Sequence, residues 1–547
     1  MRRTGAGDAP EATERRLAAQ RALVQALCDP ACFPHEAGPV RLLETHISFV
    51  LLTGGFAYKI KKAVDLGFLD FTTLERRRFF CAEELRLNQR TAPNLYLDVV
   101  AVNGTRADPS IGGEGEALEY AVRMREFSQL AVAQAMLARG HLTPQHIDAL
   151  ALEVARFHRD AGIAGPEVEH GSAVVITAAA AQNFEQLREC APPAPCLPLI
   201  EALARWSGEE GARLHTSFER RKREGRVREG HGDLHLGNIV LIDGRPQLFD
   251  CIEFNPSFRW VDVINDAGFL VMDLYAAGHP RLAARLLNTY LEAGGDYDGA
   301  GMLRYYLVYR AVVRAKIALL RARQRSAPDE AAADLRMLDR YLRLADELSR
   351  PPPCFIVITH GLSGSGKTTL TQTLVETAGA VRLRSDVERK RMHGLAASAR
   401  SGAAVGEGLY SAATTAAVYG RLHELAAGLL AAGQPVIVDA TFTQAAEREQ
   451  FRALAARAGV PFVIADVQAP EHVLRTRLQA RVEDASEADT AVLDHQLRTR
   501  EPLQAAELGA VVAIDSESPM AQRRDAAIWA PLLERLRRHA GHRPANK

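Results

Sequence analysis

Residues 361–368 read Gly-Leu-Ser-Gly-Ser-Gly-Lys-Thr and directly follow the apolar run Cys354–Thr359. Gly361, Gly364 and Gly366 free the backbone to turn tightly, so that its N–H groups point inward at phosphate oxygens. A helix starting near Lys367 adds its positive end to the same spot. The cradle comprises Gly361, Leu362, Ser363, Gly364, Ser365, Gly366, Lys367, Thr368 and Thr369. Lys367 would reach the β- and γ-phosphates and Thr368 would offer its hydroxyl to Mg²⁺. Asp439, closing Val436-Ile-Val-Asp439, is placed to hold the hydrated ion.

Transfer needs a second substrate, and Arg384-Ser-Asp386-Val-Glu-Arg389 supplies candidates for its site. Asp386, just beyond a second strand, can accept the proton of a substrate hydroxyl. Arg389, one helical turn on, can bind an anionic group of that substrate. Arg477 and Arg481 stand at i and i+4 on one helix face and suit a lid over transferring phosphate; a solvated basic face is the other reading.

A second phosphoryl-transfer pattern lies upstream. His231-Gly-Asp233-Leu-His-Leu-Gly-Asn238 has the Asp-to-Asn interval of a kinase catalytic loop, in which Asp receives the acceptor's proton and Asn holds a metal. Ile239–Ile242 and Gln247–Phe249 predict a hairpin across Asp243-Gly244 that ends at Asp250, a second metal ligand. His235 reads as a loop-stabilising residue, because its neighbours fill the chemical roles. His158 reads as a packed histidine, and Asp262 and Asp266 as structural supports of the catalytic loop from the following helix.

The C-terminal pattern, over about 354–515, resembles the small P-loop kinases related to polynucleotide 5′-kinase, the zeta-toxin kinases and gluconate kinase. It does so through the loop, Ser385-Asp386-x-x-Arg389 and Val438-Asp439-Ala-Thr441. That resemblance implies Asp386 as base and Arg477 or Arg481 as lid arginine. The stretch around His231–Asn238 resembles the aminoglycoside phosphotransferase family of kinase-fold enzymes. This second resemblance implies Asp233 as base, Asn238 and Asp250 on Mg²⁺, and a lysine on the ATP phosphates held by a helix glutamate. Lys59 and Lys61, two apart on a strand, face the same side and either can be that lysine, with Lys61 preferred. Glu84 is the candidate partner, with Glu83 as the alternative, and Met124–Phe127 is the candidate hinge beside adenine. The chain has only Thr53-Gly-Gly55 in place of a G-x-G-x-x-G, an absence common in that family, and the region between the motif and the linker lacks an acidic cluster for a polycationic antibiotic, which argues against an aminoglycoside acceptor.

Around these patterns the chain alternates in type. A helix over 12–28, a hairpin over 47–64, a helix over 73–90 capped by Thr72 or Thr73, and strands at 96–102 and 120–124 predict a small sheet with a helix on it. Helices then dominate, including 147–161, 200–222 and 261–348, until Ser349-Arg-Pro-Pro-Pro353 breaks them. Strands alternating with helices follow and predict a parallel sheet. The expected class is α/β and α+β: a polar segment at 1–19, a protein-kinase-like bilobal domain at 20–348, a linker at 349–353, a P-loop NTPase domain with a parallel sheet flanked by helices at 354–520, and a helix and tail at 521–547.

The 67 basic residues balance the 67 acidic ones, so no global field draws the protein to nucleic acid or an anionic membrane. Seven scattered cysteines, no apolar leader and no long apolar run predict a cytoplasmic protein with reduced thiols. The expectation is an ATP- and Mg²⁺-dependent kinase with two sites and small-molecule acceptors. Two alternatives are a nucleotide-binding regulator in place of one site, and a nucleic-acid 5′-kinase in the P-loop module.

Overall fold

The computed structural model describes residues 10–67, 69–397, 399, 409, 411–480, 488–517 and 526–540 of the 547. The chain falls into two compact units. The first comprises 1–149, 157–175 and 218–270, and the second 150–156, 176–217 and 271–547.

The first unit carries an antiparallel sheet of β1 (Arg41–Glu44), β2 (Ser48–Leu52), β3 (Phe56–Lys61), β4 (Tyr96–Gly104), β5 (Pro109–Ile111) and β6 (Glu119–Arg125), in the order β1-β2-β3-β6-β4-β5. Strand alternation sends Tyr58 and Ile60 of β3 to one face, where they join Leu23 and Val24 of the helix Pro10–Ala26 in a buried core. Ala57, Lys59 and Lys61 therefore face the other way. Helix Leu74–Asn88 has Thr73 as its N-cap, whose hydroxyl accepts from the Arg76 N–H. Its Cys81 packs with Tyr96 and Val122. The edge strands β1 and β5 were not expected; they are four and three residues long, too short for an alternation to show.

The catalytic-loop segment follows β7 (Val227–Glu229). The predicted hairpin forms as β8 (Ile239–Ile242) and β9 (Arg245–Leu248), and its two turn residues, Asp243 and Gly244, have φ of +50° and +72°. Both signs are those a two-residue primed turn requires. β10 (Trp260–Asp262) returns to pair with β7.

The second unit holds the helices Pro280–Gly294, Ala300–Gln324 and Pro328–Ser349, and after the exposed Pro351–Pro353 a sheet of five strands. These are β11 (Ile356–His360), β12 (Val381–Arg384), β13 (Val436–Asp439), β14 (Phe462–Gln468) and β15 (Val511–Asp515), all parallel, in the order β12-β13-β11-β14-β15. The expected class, a kinase-like bilobal fold followed by a P-loop domain with helices flanking a parallel sheet, is thus present. β15 was missed, as were the short helices Thr490–Thr499 and Ala505–Leu508. Of the expected closing helix, Ala530–Ala540 is helical, and 521–525 and 541–547 lie outside the described residues.

Trp529 is fully buried against Val357, Leu370 and Leu374, and its indole N–H donates to the Leu370 carbonyl at 3.1 Å. Trp529→Ala is expected to cost about 3–5 kcal/mol, read as a lowered midpoint of denaturant unfolding; an unchanged midpoint would show that the Trp529 side chain adds nothing to this core.

Candidate active sites

The first site is built on a backbone held from behind. Asp266, on the helix Val263–Ala276, accepts from the N–H groups of His231 (2.6 Å) and Gly232 (3.0 Å), and the buried His158 ring lies 3.2 Å from the same carboxylate. Gly232 has φ +85°, and a Cβ there would sit 2.7 Å from the Phe258 carbonyl, so only glycine fits. Asn238 donates its amide to the Asp233 carbonyl (3.0 Å) and carboxylate (3.1 Å), which draws the two side chains together. His235 accepts from the Gly237 N–H at 3.0 Å and stabilises the loop. Asp266 and His235 stand as supports of the loop, and His158 is the packed histidine expected. Asp262 instead pairs with the buried Arg221 at 2.7 and 2.8 Å.

The two lysines separate clearly. The Lys59 ammonium donates to Glu84 at 2.7 Å and to Asp250 at 2.5 Å, while Lys61 donates to Glu84 at 2.6 Å and also to Glu253. Lys61 is fully buried, whereas Lys59 keeps 13% of its side chain accessible and Asp250 keeps 45%. The preference for Lys61 finds no support in this geometry: Lys61 is enclosed between Glu84 and Glu253, and Lys59 is the lysine that keeps accessible surface, beside Asp250. Glu84 is the helix partner, and Glu83 pairs with Arg86 and Arg259 instead. Burial alone would push the Glu84 carboxyl up, but the two ammonium groups outweigh it and hold it at about 2. Burial and the neighbouring Glu84 push the Glu253 carboxyl up, against the pull of Lys61.

Near the hinge a cleft of about 750 Å³ is lined by Leu95, Arg125, Phe127, Leu241 and Gln247 among others. Lys59, Glu84, Asp233, Asn238 and Asp250 are not among its lining residues, so this concavity is not where the phosphate-binding groups gather.

The second site has the strand–loop–helix geometry its motif demands. Gly361, Gly364 and Gly366 adopt φ of +144°, +86° and +89°, and a Cβ on Gly361 would lie 2.4 Å from the Val467 carbonyl. Helix Lys367–Ala378 starts at the loop's end. The Lys367 ammonium donates to the Gly361 and Leu362 carbonyls at 2.8 and 2.9 Å, and the Thr368 hydroxyl donates to the buried Asp439 at 2.7 Å. That last pair fits a hydrated Mg²⁺, which takes few protein ligands beside substrate phosphates. Asp386 is half-buried in the first turn of helix Ser385–Met392. Arg389 is buried and donates to the Leu409 carbonyl at 2.7 Å. Arg477 reaches the loop, 3.4 Å from the Gly364 and Ser365 carbonyls, and binds Ser516 at 3.1 and 2.5 Å. Arg481 lies outside the described residues.

A family model described as an AAA domain matches residues 356–503. Over 449 residues the chain is 33% identical to the uncharacterized protein Rv2004c of Mycobacterium tuberculosis, covering 82% of this chain and 88% of that one. The chain belongs to that protein's family. Among solved structures, a choline kinase from Cryptosporidium parvum is 10% identical and covers 60% of this chain and 96% of its own, with a TM-score of 0.38. A gluconokinase from Sinorhizobium meliloti is 24% identical and covers 35% and 99%, with a TM-score of 0.25. In this family member a kinase-like fold built on an antiparallel sheet precedes a P-loop domain with a parallel sheet.

Several members of the two sites escaped the sequence reading. Glu253, three residues after Asp250, neutralises Lys61, and Tyr96 accepts the Asp250 N–H at 3.1 Å while Asp250 holds φ +65°. Gln496 accepts from the Ser363 N–H at 2.9 Å and donates to its hydroxyl at 3.0 Å. One overlooked signal pointed to Lys59: Phe56-Ala-Tyr-Lys59 has the spacing of the kinase Val-Ala-Ile-Lys strand.

Lys61→Met should leave the buried Glu253 carboxylate without its ammonium and cost roughly 3–5 kcal/mol, whereas Lys59→Ala should keep most of the thermal stability and lose ATP binding at this site. Equal melting losses for both variants would contradict the division of roles. Because Glu84 sits below the unfolded value of about 4.3, the stability it adds is complete above that pH and is lost as pH falls toward 2. Glu84→Gln should accordingly lower the melting temperature at neutral pH and flatten its decline below about pH 4.3; an unflattened decline would contradict the depressed carboxyl.

Proposed function

We propose that the chain is a bifunctional Mg²⁺- and ATP-dependent phosphotransferase, with each site moving the γ-phosphate of ATP to a hydroxyl of a small molecule. The observation that carries this reading is the Lys59–Glu84 ion pair with Asp250 at the same ammonium, the arrangement a kinase needs to seat ATP phosphates. The P-loop region supplies a second set of groups suited to phosphate and Mg²⁺, in Lys367, Thr368 and Asp439. Supporting a reducing, cytoplasmic setting, no disulfide joins any of the seven cysteines. We take the domain boundaries as 20–348 and 354–520, joined at 349–353.

In the first site Lys59 would bind the α/β-phosphates, and Asn238 and Asp250 would hold Mg²⁺. Asp233, 39% accessible and oriented by Asn238, would accept the acceptor hydroxyl's proton. In the second, the backbone N–H groups of the loop and Lys367 would cradle the phosphates, and Thr368 and Asp439 would hold the ion. Asp386 would act as base, with Arg389 toward the acceptor and Arg477 beside the loop. Bound Mg²⁺ would neutralise charge developing on the transferring phosphate. Positioning of the acceptor and the phosphates by these fixed groups supplies the rest.

With a pooled library of sugars, nucleosides, aminoglycosides and oligonucleotides, Asp233→Asn and Lys367→Ala are each expected to cut transfer to a different acceptor by about 10²–10⁴-fold. Transfer that depends on one of the two residues alone would leave the other domain a nucleotide-binding regulator and defeat the two-catalyst reading.

A further inference from the structure

β12 is an edge strand of the parallel sheet, and its outer side is covered by residues that precede the proline linker. The Arg382 N–H, on the edge away from β13, donates to the Asn288 side chain at 2.7 Å, and Asn288 is 2% exposed. A backbone donor that an edge strand would otherwise present to solvent is thus satisfied by the helix Pro280–Gly294. One turn further along that helix, Glu292 receives Arg384 at 3.0 Å and stands 3.7 Å from the Arg382 guanidinium. Arg285 pairs with Glu376 at 2.7 Å on the helix that follows the phosphate loop.

Arg382 connects this contact to the chemistry. Its side chain is 6% exposed and donates to the Thr368 carbonyl at 2.9 Å and to the Thr371 hydroxyl at 3.3 Å. Thr368 is the residue whose hydroxyl meets Asp439. Burial disfavours the charged guanidinium, and the Glu292 carboxylate opposes that cost. Asn288 therefore holds Arg382 by its backbone, Glu292 faces its guanidinium as an ion pair at 3.7 Å, and Arg382 in turn holds the first turn of the phosphate-loop helix.

We infer that Asn288 and Glu292 are positioning residues for the P-loop phosphate site, acting through Arg382 on Thr368, so that the metal-binding geometry of the C-terminal domain depends on a helix from upstream of the linker. The inference rests on the reading of 361–368 and Asp439 as a Mg²⁺-nucleotide site. A merely structural contact would alter stability alone. A positioning contact alters how strongly Mg²⁺ promotes nucleotide binding, because it acts on the metal's threonine rather than on the cradle's N–H groups.

The test uses the full chain carrying Lys59→Ala, so that a fluorescent ATP analogue reports on the P-loop site, titrated in Mg²⁺ and in chelator. Glu292→Gln and Asn288→Ala are each expected to weaken binding roughly tenfold in Mg²⁺ and to leave binding in chelator nearly unchanged. Arg382→Lys, too short to span Glu292 and Thr368, should do the same, and combining it with Glu292→Gln should add little further loss. Equal losses with and without Mg²⁺, no loss, or fully additive losses would overturn the inference while Lys367→Ala still abolishes binding. If Lys367→Ala binds the analogue as before, the P-loop reading itself fails, and the inference falls with it.

Discussion

The first site depends on burying charge. Two ammonium groups, Lys59 and Lys61, share three carboxylates, Glu84, Asp250 and Glu253, within contacts of 2.7 Å or less. Taking such ions from water costs several kcal/mol each, and only tight mutual pairing offsets it. The cluster draws β3, the helix Leu74–Asn88 and the segment after β9 to one point, so their relative placement follows from charge neutralisation as much as from apolar packing. One carboxylate is in excess, and the accessible member is Asp250. Surplus negative charge therefore stands where a cation would be useful, while Lys61 and Glu253 neutralise each other inside.

The second site depends on backbone geometry. Three glycines with positive φ shape the loop, and the sheet beneath it sets the position of Asp439 at the end of β13 and Asp386 after β12. The same reasoning that makes β12 an exposed edge in an isolated parallel sheet explains its cover here. Asn288 takes its backbone donor and Glu292 its arginines, tying the phosphate loop to helical sequence before residue 349. The proline-rich stretch thus separates two patterns in the sequence without separating their contacts.

What could be read in advance was local. The phosphate loop, the Asp233–Asn238 interval, the helix cap at Thr72 or Thr73 and the Asp243-Gly244 turn each depend on residues a few positions apart; each formed, with Thr73 as the cap. The choice between Lys59 and Lys61 was not local. A period of two puts both on one face, and what distinguishes them is Asp250 and Glu253, some 190 residues later. Tyr96, Gln496 and Ser516 join the sites by the same long-range route. β1, β5 and β15 are short runs at sheet edges, where pairing with a neighbour rather than residue pattern makes the strand.

The central claim is that one chain seats two nucleotides. Calorimetric titration of the full-length protein with a non-hydrolysable ATP analogue and Mg²⁺ measures this directly. The account predicts two equivalents bound per chain, falling to one in either Lys59→Ala or Lys367→Ala. A single equivalent in the wild type, lost in one variant and untouched in the other, would contradict it.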